Sequence, residues 1–537
     1  MTRTSLLSLR TTRHRRRRIC VLAATTVMAT VLAGCGGDDK TKPTAEGTPK
    51  QGGGLTMSLP GDSTSLDPYA TSFVNVADGS RMSALYDSLV YADPLTGSVR
   101  PQLAESLSIS GAKSDTWQLK LRPGVKFSDG SPFDAEAVRF NWDRHKDPKV
   151  RSFQASAAMN LAQLTVVDPL TLDIKLVSEN ANFDHLVARS LTFIASPVAL
   201  KANPGGIGDK PVGAGPFKLE RWERGVRQTF VRNPEYWQKD KGLPHLDKLT
   251  INVDTNVDHS IQEVENGNID LTVAVDPLAA AQAQDKKLGV QRISLNGGQM
   301  VMFNTTFGPF KDLQARRAVV NALSSTEIND KFFAGEGTPA KGIFAAASPV
   351  ANIQLAASEN DKERAKQLFD NVTAGGTKKL KFTYMVPQAP ASIRVAEYIK
   401  SILDTYPGVE MEVKIVDIAT YVTTVRAGNE TWAVALNQNW IDDPEPGIYD
   451  FLHSGSLQNN SNYSNPAVDA ALEEARRTTD PIKRRDAYTR VQLQVNKDMP
   501  YWVYQEALAA AVYGPGVTGI QLINDGVVLW DRIGTAK

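Results

Sequence analysis

The segment LAESLSISGAKSDTWQLKLRPGVKFSDGSPFDAEAVRFN, residues 103–141, decides the fold. Its stretch WQLKL (117–121) alternates apolar and polar residues, which predicts a β-strand that buries one face. Pro-Gly at 123–124 and Asp-Gly at 129–130 are typical turn pairs. Asp134 stands where its side chain can cap a helix that begins at the next residue. We expect this strand, its turns and the helix to be structural and to contact no ligand.

Helices and strands are mixed along the rest of the chain. Strands are predicted at 171–176, 249–253, 380–385 and 410–416, and helices at 135–144, 361–369 and 392–403. The strand, helix and strand between 380 and 416 indicate an α/β fold with partly parallel pairing. After the N-terminal region, about 480 residues remain. This is longer than a chain that usually folds around a single hydrophobic core, so two or three lobes are expected.

Further motifs follow in a fixed order after residues 103–141. They are PVGAGPF (211–217), RNPEYW (232–237), IQEVENGNID (261–270), FNT (303–305) with PFKD (309–312) and RRA (316–318), NYSNPAVD (462–469) and PYW (500–502). Together they resemble the motifs of the family 5 extracellular solute-binding proteins, the peptide, nickel and oligopeptide group of ABC importers. The resemblance covers roughly residues 52–537, which is nearly all of the chain outside its N-terminal region.

The resemblance implies the two-lobed periplasmic-binding-protein type II fold (cluster C), an α/β fold with a ligand cleft between the lobes. It places the first lobe at 55–84, 203–294 and 500–537, an extra subdomain of that lobe at 85–202, and the second lobe at 295–499. Two strand-like crossings are expected to join the lobes, so that a ligand that contacts both lobes favours their closure.

The N-terminal residues 1–34 predict a lipoprotein signal peptide. Seven arginines precede an uncharged run at 19–33, which is too short for a bilayer span of roughly 20 residues. The run ends in Leu-Ala-Gly-Cys, which resembles the lipobox of bacterial lipoproteins and implies attachment of diacylglycerol to Cys35. Export by the Sec or the Tat route stays open. Cys20 lies in the segment that would be removed, so the mature chain can form no intramolecular disulfide.

Residues 35–54 are polar and rich in Gly, Pro and Thr, which predicts a flexible tether between the lipid and the folded body. We therefore expect a monomer held at the extracytoplasmic face of the cell membrane. Removing the seven arginines from 60 basic residues leaves 53 against 59 acidic residues, so the precursor's net charge of +1 becomes about −6. This balance does not favour binding to nucleic acid.

Motifs for catalysis are missing from the sequence. None of the six histidines forms an HExxH motif, and there is no Gly-x-Ser-x-Gly elbow or Walker A motif. We expect a binding protein without enzymatic activity, cofactor or metal, and an ATPase on a separate chain. A secreted hydrolase is the alternative from another class.

The segment NWIDDPEP (439–446) contains the candidate ligand anchors. Peptide-binding members of the resembled family carry a carboxylate for the α-ammonium group shortly after a tryptophan. Counting forward from Trp440 selects Asp443, whereas counting back from Pro446 selects Asp442, because the segment is one residue shorter than the family pattern. An acidic surface turn is the alternative. The further candidate positions are Asn439, Gly298, Met300 and Leu66.

We expect the cargo to be a short peptide that is delivered to an ABC permease. A nickel chelate, haem, glutathione or an oligosaccharide are alternatives within the same family. A binding module without a transport role is a third possibility.

Overall fold

The computed structural model describes residues 47–73, 78–426 and 430–536. Within these residues the strands are β1 (Gly54–Leu59), β2 (Val90–Asp93), β3 (Ser98–Pro101), β4 (Ala104–Ile109), β5 (Thr116–Leu121), β6 (Leu161–Asp168), β7 (Thr171–Leu176), β8 (Phe217–Glu223), β9 (Arg227–Arg232), β10 (Lys248–Val253), β11 (Leu271–Ala274), β12 (Gly289–Phe303), β13 (Leu380–Pro387), β14 (Val409–Val416), β15 (Val434–Ile441), β16 (Tyr501–Tyr513), β17 (Val517–Thr518), β18 (Leu522–Ile523), β19 (Val527–Val528) and β20 (Gly534–Thr535).

The α-helices of the described residues follow the same chain order. They are α1 (Gly79–Tyr86), α2 (Ala135–Lys146), α3 (Ala155–Ala158), α4 (Phe183–Leu186), α5 (Pro197–Ala202), α6 (Val257–Glu265), α7 (Pro277–Asp285), α8 (Leu313–Ala322), α9 (Ser325–Phe332), α10 (Lys362–Thr373), α11 (Pro390–Leu403), α12 (Ile418–Arg426), α13 (Pro444–Leu452), α14 (Pro466–Arg476) and α15 (Pro481–Asp498). A π-helical turn, Val187–Leu191, follows α4 directly. No helix in the described ranges is long and apolar enough to cross a membrane.

The central sheet runs through two separate hydrophobic cores. Its strand order is β14-β13-β15-β12-β16-β11-β1-β10-β9-β8. The first core packs around β1, β10 and β11, and the second core packs around β13, β14 and β15. The long antiparallel strands β12 and β16 contribute residues to both cores. Two lobes are therefore joined by two continuous strands, and the predicted fold class is confirmed.

The transition between the two cores on β12 contains two glycines. The pairing of β12 with β16 is irregular between Leu295 and Gln299. Gly297 and Gly298 have φ angles of 91° and 117°, a region that residues with a side chain rarely adopt. A Cβ atom on Gly298 would lie 2.1 Å from the carbonyl oxygen of Gln505 on β16. Glycine is therefore required where the chain passes from one lobe to the other.

The segment from 103 to 141 forms the structure that its pattern predicts. Trp117, Leu119 and Leu121 point into a core of their own, between α2 and a four-stranded antiparallel sheet of order β4-β5-β7-β6. The side chain of Asp134 accepts a hydrogen bond from the backbone N–H of Ala137 at 2.9 Å and caps α2. These side chains pack in or cap elements of this separate core.

The other predicted elements are also confirmed. The strand prediction at 171–176 matches β7, and that at 249–253 matches β10. The predicted strand–helix–strand unit forms β13, α11 and β14, and the two strands pair in parallel. The exact boundaries of the lobes and the subdomain stay predictions.

A buried pair of carboxylates explains the motif at 232–237. Tyr236 Oη and Trp237 Nε1 donate to Asp87 Oδ2 at 2.9 and 3.0 Å. The amide of Gln102 lies 3.3 Å from both Asp87 and Asp531. Burial raises the pKa of Asp87 to about 7, with a further contribution from the charge of Asp531 and a partial offset from the Trp and Tyr hydrogen bonds. This cluster, the Asp87–Asp531 pair, connects α1, the motif and the C-terminal segment.

The last part of the predicted tether is bound to the folded body. Lys50 N donates to Thr535 O at 3.0 Å, and Gly52 N donates to His245 O at 2.8 Å. For these residues the expectation of a flexible segment is wrong, because their backbone groups have partners in the C-terminal segment and before β10. The signal peptide, Cys35 and residues 36–46 lie outside the described residues.

Candidate functional site at the lobe boundary

The acidic segment after β15 lies where the two lobes meet. β15 pairs with β12 so that Asn439 is opposite Gly298 and Trp440 is opposite Gly297. Trp440 is partly buried and packs against the first core. Asp442 and Asp443 follow the end of the strand directly. The strand pairing therefore holds the predicted anchor segment beside the crossing.

Asp443 forms a structural ion pair within the second lobe. Its side chain accepts the backbone N–H of Glu445 at 2.8 Å and so caps α13. Arg484 on α15 donates from Nη1 to Oδ2 at 2.9 Å and from Nη2 to Oδ1. Burial opposes ionisation of Asp443, but the charges of Arg484 and His185 and the hydrogen bonds outweigh it and lower its pKa to about 2. Both carboxylate oxygens of Asp443 already accept hydrogen bonds.

Asp442 contacts an arginine from another part of the chain. Arg189, on the π-helical turn, donates from Nη1 to Asp442 Oδ1 at 3.2 Å and from Nη2 to Trp440 O at 3.1 Å. Its Nη1 also lies 3.8 Å from Asp525 Oδ2, between β18 and β19. Burial raises the pKa of Asp525 to about 7 despite the opposing charge of Arg189, and Asp442 raises it further. Arg189 thus bridges two carboxylates from distant segments.

A second contact across the boundary is centred on Glu445, which is 1% exposed. Its Oε1 accepts from Arg476 Nη2 at 2.7 Å, Arg476 Nε at 3.1 Å and Asn180 Nδ2 at 2.9 Å. Among the described residues its Oε2 has no hydrogen-bond partner. Ala181 N also donates to Arg476 O at 2.8 Å. The loop before α4 is therefore hydrogen bonded to a buried ion pair that joins α13 and α14.

The remaining candidate residues lie in different environments. Asn439 and Gly298 are paired on neighbouring strands beside Trp440. Met300 is fully buried in the second lobe, and Leu66 is fully buried in the first core. The side chains of Met300 and Leu66 are therefore packed in apolar cores and are not brought together with Asp442.

Sequence reasoning missed the basic partners of this site. Arg189, Arg476 and Arg484 belong to none of the quoted motifs, and the first is separated from Asp442 by 253 positions. Glu445 was within the quoted acidic segment, but its burial was not predicted. A high local density of acids at the end of a predicted strand was the one available signal.

A cavity of about 240 Å³ lies beside this network, between the loop before α4 and the start of α15. Its lining includes Asn182, Asp184, His185, Val350 and Arg484. A larger groove of about 500 Å³ lies on the outer strands β8, β9 and β10 and is lined mainly by exposed charged residues. The first cavity adjoins charged side chains from both segments, Asp184 from α4 and Arg484 from α15.

The comparisons with known proteins agree with a two-lobed binding protein. Residues 98–459 match the bacterial extracellular solute-binding proteins, family 5 Middle. The chain therefore belongs to this family, which is a family of binding proteins rather than enzymes. It is 26% identical over 490 residues to the glutathione-binding protein GsiB of Salmonella paratyphi A, covering 86% of this chain and 90% of GsiB.

Solved structures of similar proteins show the same fold. The oligopeptide-binding protein AppA of Bacillus subtilis, in complex with a nonapeptide, superposes with a TM-score of 0.78 at 21% identity, over 91% of this chain and 100% of AppA. A dipeptide-binding protein of Pseudoalteromonas, in complex with Met-Leu, has a TM-score of 0.76 at 23% identity, over 90% of this chain and 100% of that protein. In the described part of the chain, no group of three His, Cys, Asp or Glu side chains is arranged to hold a metal ion.

Proposed function

We propose that this protein is the lipid-anchored solute-binding subunit of an ABC importer, and that it captures short peptides between its lobes. The carrying observation is the buried acidic cluster at the end of β15, where Asp442 accepts a hydrogen bond from the guanidinium group of Arg189, in a distant segment of the chain. A peptide's α-ammonium group is a cation of this kind, and a charge-assisted hydrogen bond to it contributes about 1.5–3 kcal/mol. The peptide ligands of AppA and the Pseudoalteromonas protein support the same cargo class.

Asp442 is the better anchor of the two aspartates. A ligand that took Asp443 would have to separate it from Arg484, which would leave a buried guanidinium group unpaired at a cost of several kcal/mol. Arg189 donates a single hydrogen bond to Asp442, whereas Arg484 donates to both oxygens of Asp443, so the contact at Asp442 is the easier one to break. We therefore assign the α-ammonium group of the peptide to Asp442 and a structural role to Asp443.

Native mass spectrometry of the purified protein tests the cargo. Bound peptides of a few residues are expected, and recovery of only a non-peptide solute would contradict the proposal. Isothermal titration calorimetry with a peptide identified in this way should show a loss of about 10- to 100-fold in affinity for Asp442→Ala.

Asp443→Asn is the matched control for the assignment, because it keeps the side-chain shape and one acceptor oxygen. We expect it to lower thermal stability while retaining most of the peptide affinity per folded molecule. Loss of binding in Asp443→Asn together with full binding in Asp442→Ala would reverse the assignment.

Glutathione is the second candidate cargo, because GsiB is a glutathione-binding protein and aligns over most of this chain. Titration of glutathione and of an unmodified tripeptide against the same preparation distinguishes the two. Tighter binding of glutathione would replace the general peptide proposal by a specific one.

The lipid anchor at Cys35 is part of the proposal. Two acyl chains give stable membrane attachment, whereas a protein without them is released. Cys35→Ser is therefore expected to move the protein from the membrane fraction to the soluble fraction or to retain the uncleaved precursor. Membrane attachment equal to that of the unaltered protein would refute lipidation at this residue.

A further inference from the structure

The guanidinium group of Arg189 contacts two segments that are far apart in the chain. It lies on the turn after α4 and is bound to Asp442 and to the carbonyl oxygen of Trp440, which belong to the segment after β15. Its second carboxylate partner, Asp525, comes from the C-terminal segment. The side chains of both aspartates are 5% exposed, so neither is well solvated in the absence of this guanidinium group.

Acidic groups outnumber basic groups in the immediate surroundings. Asp450 lies near Glu445, Arg476 and Arg189, and burial first and then the charge of Glu445 raise its pKa to about 7, against the lowering effect of the two arginines. Arg476 is already bound to Glu445. Arg189 is therefore the cation that compensates Asp442 and Asp525.

We propose that Arg189 is a specificity-determining residue of the cleft, because its guanidinium group holds the position at Asp442 that the cationic group of the cargo takes on binding. The inference rests on the proposed function, in which the lobe boundary is the ligand site. A cargo with a positive charge exchanges one cation for another at Asp442. A neutral cargo that displaces Arg189 leaves this carboxylate buried and without a counter-charge, which is unfavourable.

The geometry allows this exchange at Arg189 and disfavours it at Arg484. Arg189 donates one hydrogen bond to Asp442, at 3.2 Å, and its Nη1 atom also lies 3.8 Å from Asp525 Oδ2, which offers it a second carboxylate partner. Arg484 binds both oxygens of Asp443 and lies on the helix α15. Cargo selection by charge should therefore respond to Arg189 and be insensitive to surface arginines.

The first experiment needs no knowledge of the cargo. Small-angle X-ray scattering of Arg189→Ala is expected to give a larger radius of gyration than the unaltered protein, because two facing carboxylates lose the cation that joins their segments. Methylguanidinium chloride, compared with NaCl at the same ionic strength, is expected to restore the smaller radius by binding where the guanidinium group was. Arg139→Ala, an exposed arginine on α2, is the control and should leave the radius unchanged.

An unchanged radius in Arg189→Ala, or a larger radius that methylguanidinium does not reduce beyond the NaCl effect, would overturn the inference. This result is independent of the cargo, so it tests whether Arg189 joins the two segments even if the protein binds no peptide.

The second experiment measures selectivity by calorimetry with trialanine and N-acetyl-trialanine. Removal of the competing cation in Arg189→Ala is expected to raise the affinity for trialanine about tenfold, since the free ammonium group no longer displaces an arginine. The affinity for the acetylated peptide should not rise. Equal changes for both peptides would contradict the specificity role, and absence of binding to either peptide by every form of the protein would contradict the peptide proposal instead.

Discussion

The Asp87–Asp531 pair and the Asp442–Asp525 pair are both buried carboxylate clusters, but they differ in what satisfies them. Asp87 and Asp531 accept hydrogen bonds mainly from neutral groups, the amides of Gln102 and Gln238, the phenol of Tyr236 and the indole of Trp237. Asp442 and Asp525 share the guanidinium group of one arginine. Neutral donors packed around a carboxylate fix a structure, whereas a cation held between two segments is a group that another cation can replace. This difference supports the proposal that Asp442 belongs to the ligand site.

The largest expected effect comes from breaking an ion pair at the lobe boundary. Arg476→Ala leaves Glu445 buried with its main counter-charge removed, which should destabilise the protein by about 3–5 kcal/mol. Arg477→Ala is the matched control, because the neighbouring Arg477 forms an exposed pair with Glu473 worth at most about 1 kcal/mol. Urea unfolding measures the free energy of unfolding of both variants. Similar losses in the two variants would contradict the prediction, because they would show that the buried ion pair stabilises the protein no more than the exposed one.

A smaller effect on stability is expected at the Asp87–Asp531 pair, and this effect depends on pH. The pKa of Asp87 is raised from 3.8 to about 7, so the folded protein holds a proton there that the unfolded chain releases at lower pH. The resulting stabilisation is complete below about pH 4 and is lost as the pH rises towards 7, with a slope of at most about 1.4 kcal/mol per pH unit.

Asp87→Asn imitates the protonated form and should therefore reduce the decline of the unfolding temperature between pH 5 and 7. Part of the decline should persist, because Asp450 and Asp525 also have pKa values raised to about 7. Asp240→Asn, at an exposed position, is the control. A pH profile of Asp87→Asn that equals that of the unaltered protein would mean that Asp87 is ionised in the folded state.

The smallest effect is expected from an exposed pair. The hydrogen bond from His259 to Asp254, with the charge of the same carboxylate, raises the pKa of His259 above 6.5. Its contribution is present below pH 6.5 and is lost as the pH rises through the raised value. His259→Gln should remove this dependence with a smaller shift of the unfolding temperature than the buried variants cause. A shift of the unfolding temperature as large as that of Asp87→Asn would contradict the prediction that an exposed pair contributes less to stability than a buried carboxylate.

Local patterns predicted the elements of the fold, because they depend on neighbouring residues. The alternation of Trp117, Leu119 and Leu121 identified β5, and Asp134 capped α2 as expected. The ordered motifs indicated the two-lobed family before any contact was known. Composition alone did not predict the contacts of Lys50 and Gly52. These residues were assigned to a tether because the segment is polar, but their backbone groups bind the C-terminal segment and the loop before β10.

The site could be predicted only in part. The acids after Trp440 were predicted because the segment resembles a family pattern in which a carboxylate follows a tryptophan, and the structure holds this segment beside the crossing on β12. Two ways of counting selected Asp443 and Asp442, and sequence spacing cannot show which of them already has a buried arginine as its partner. Arg189 and Arg484 reach these aspartates through tertiary packing of segments far apart in the chain, and no local pattern records such contacts.

The glycine pair on β12 has a consequence for how far the lobes can move. Gly297 and Gly298 pair with Trp440 and Asn439 on β15, whereas the pairing of β12 with β16 is interrupted between Leu295 and Gln299. A rotation of one lobe against the other would therefore be absorbed by backbone torsions in this short segment and at the facing part of β16. The amplitude of opening is therefore expected to depend on the torsional freedom of these few residues.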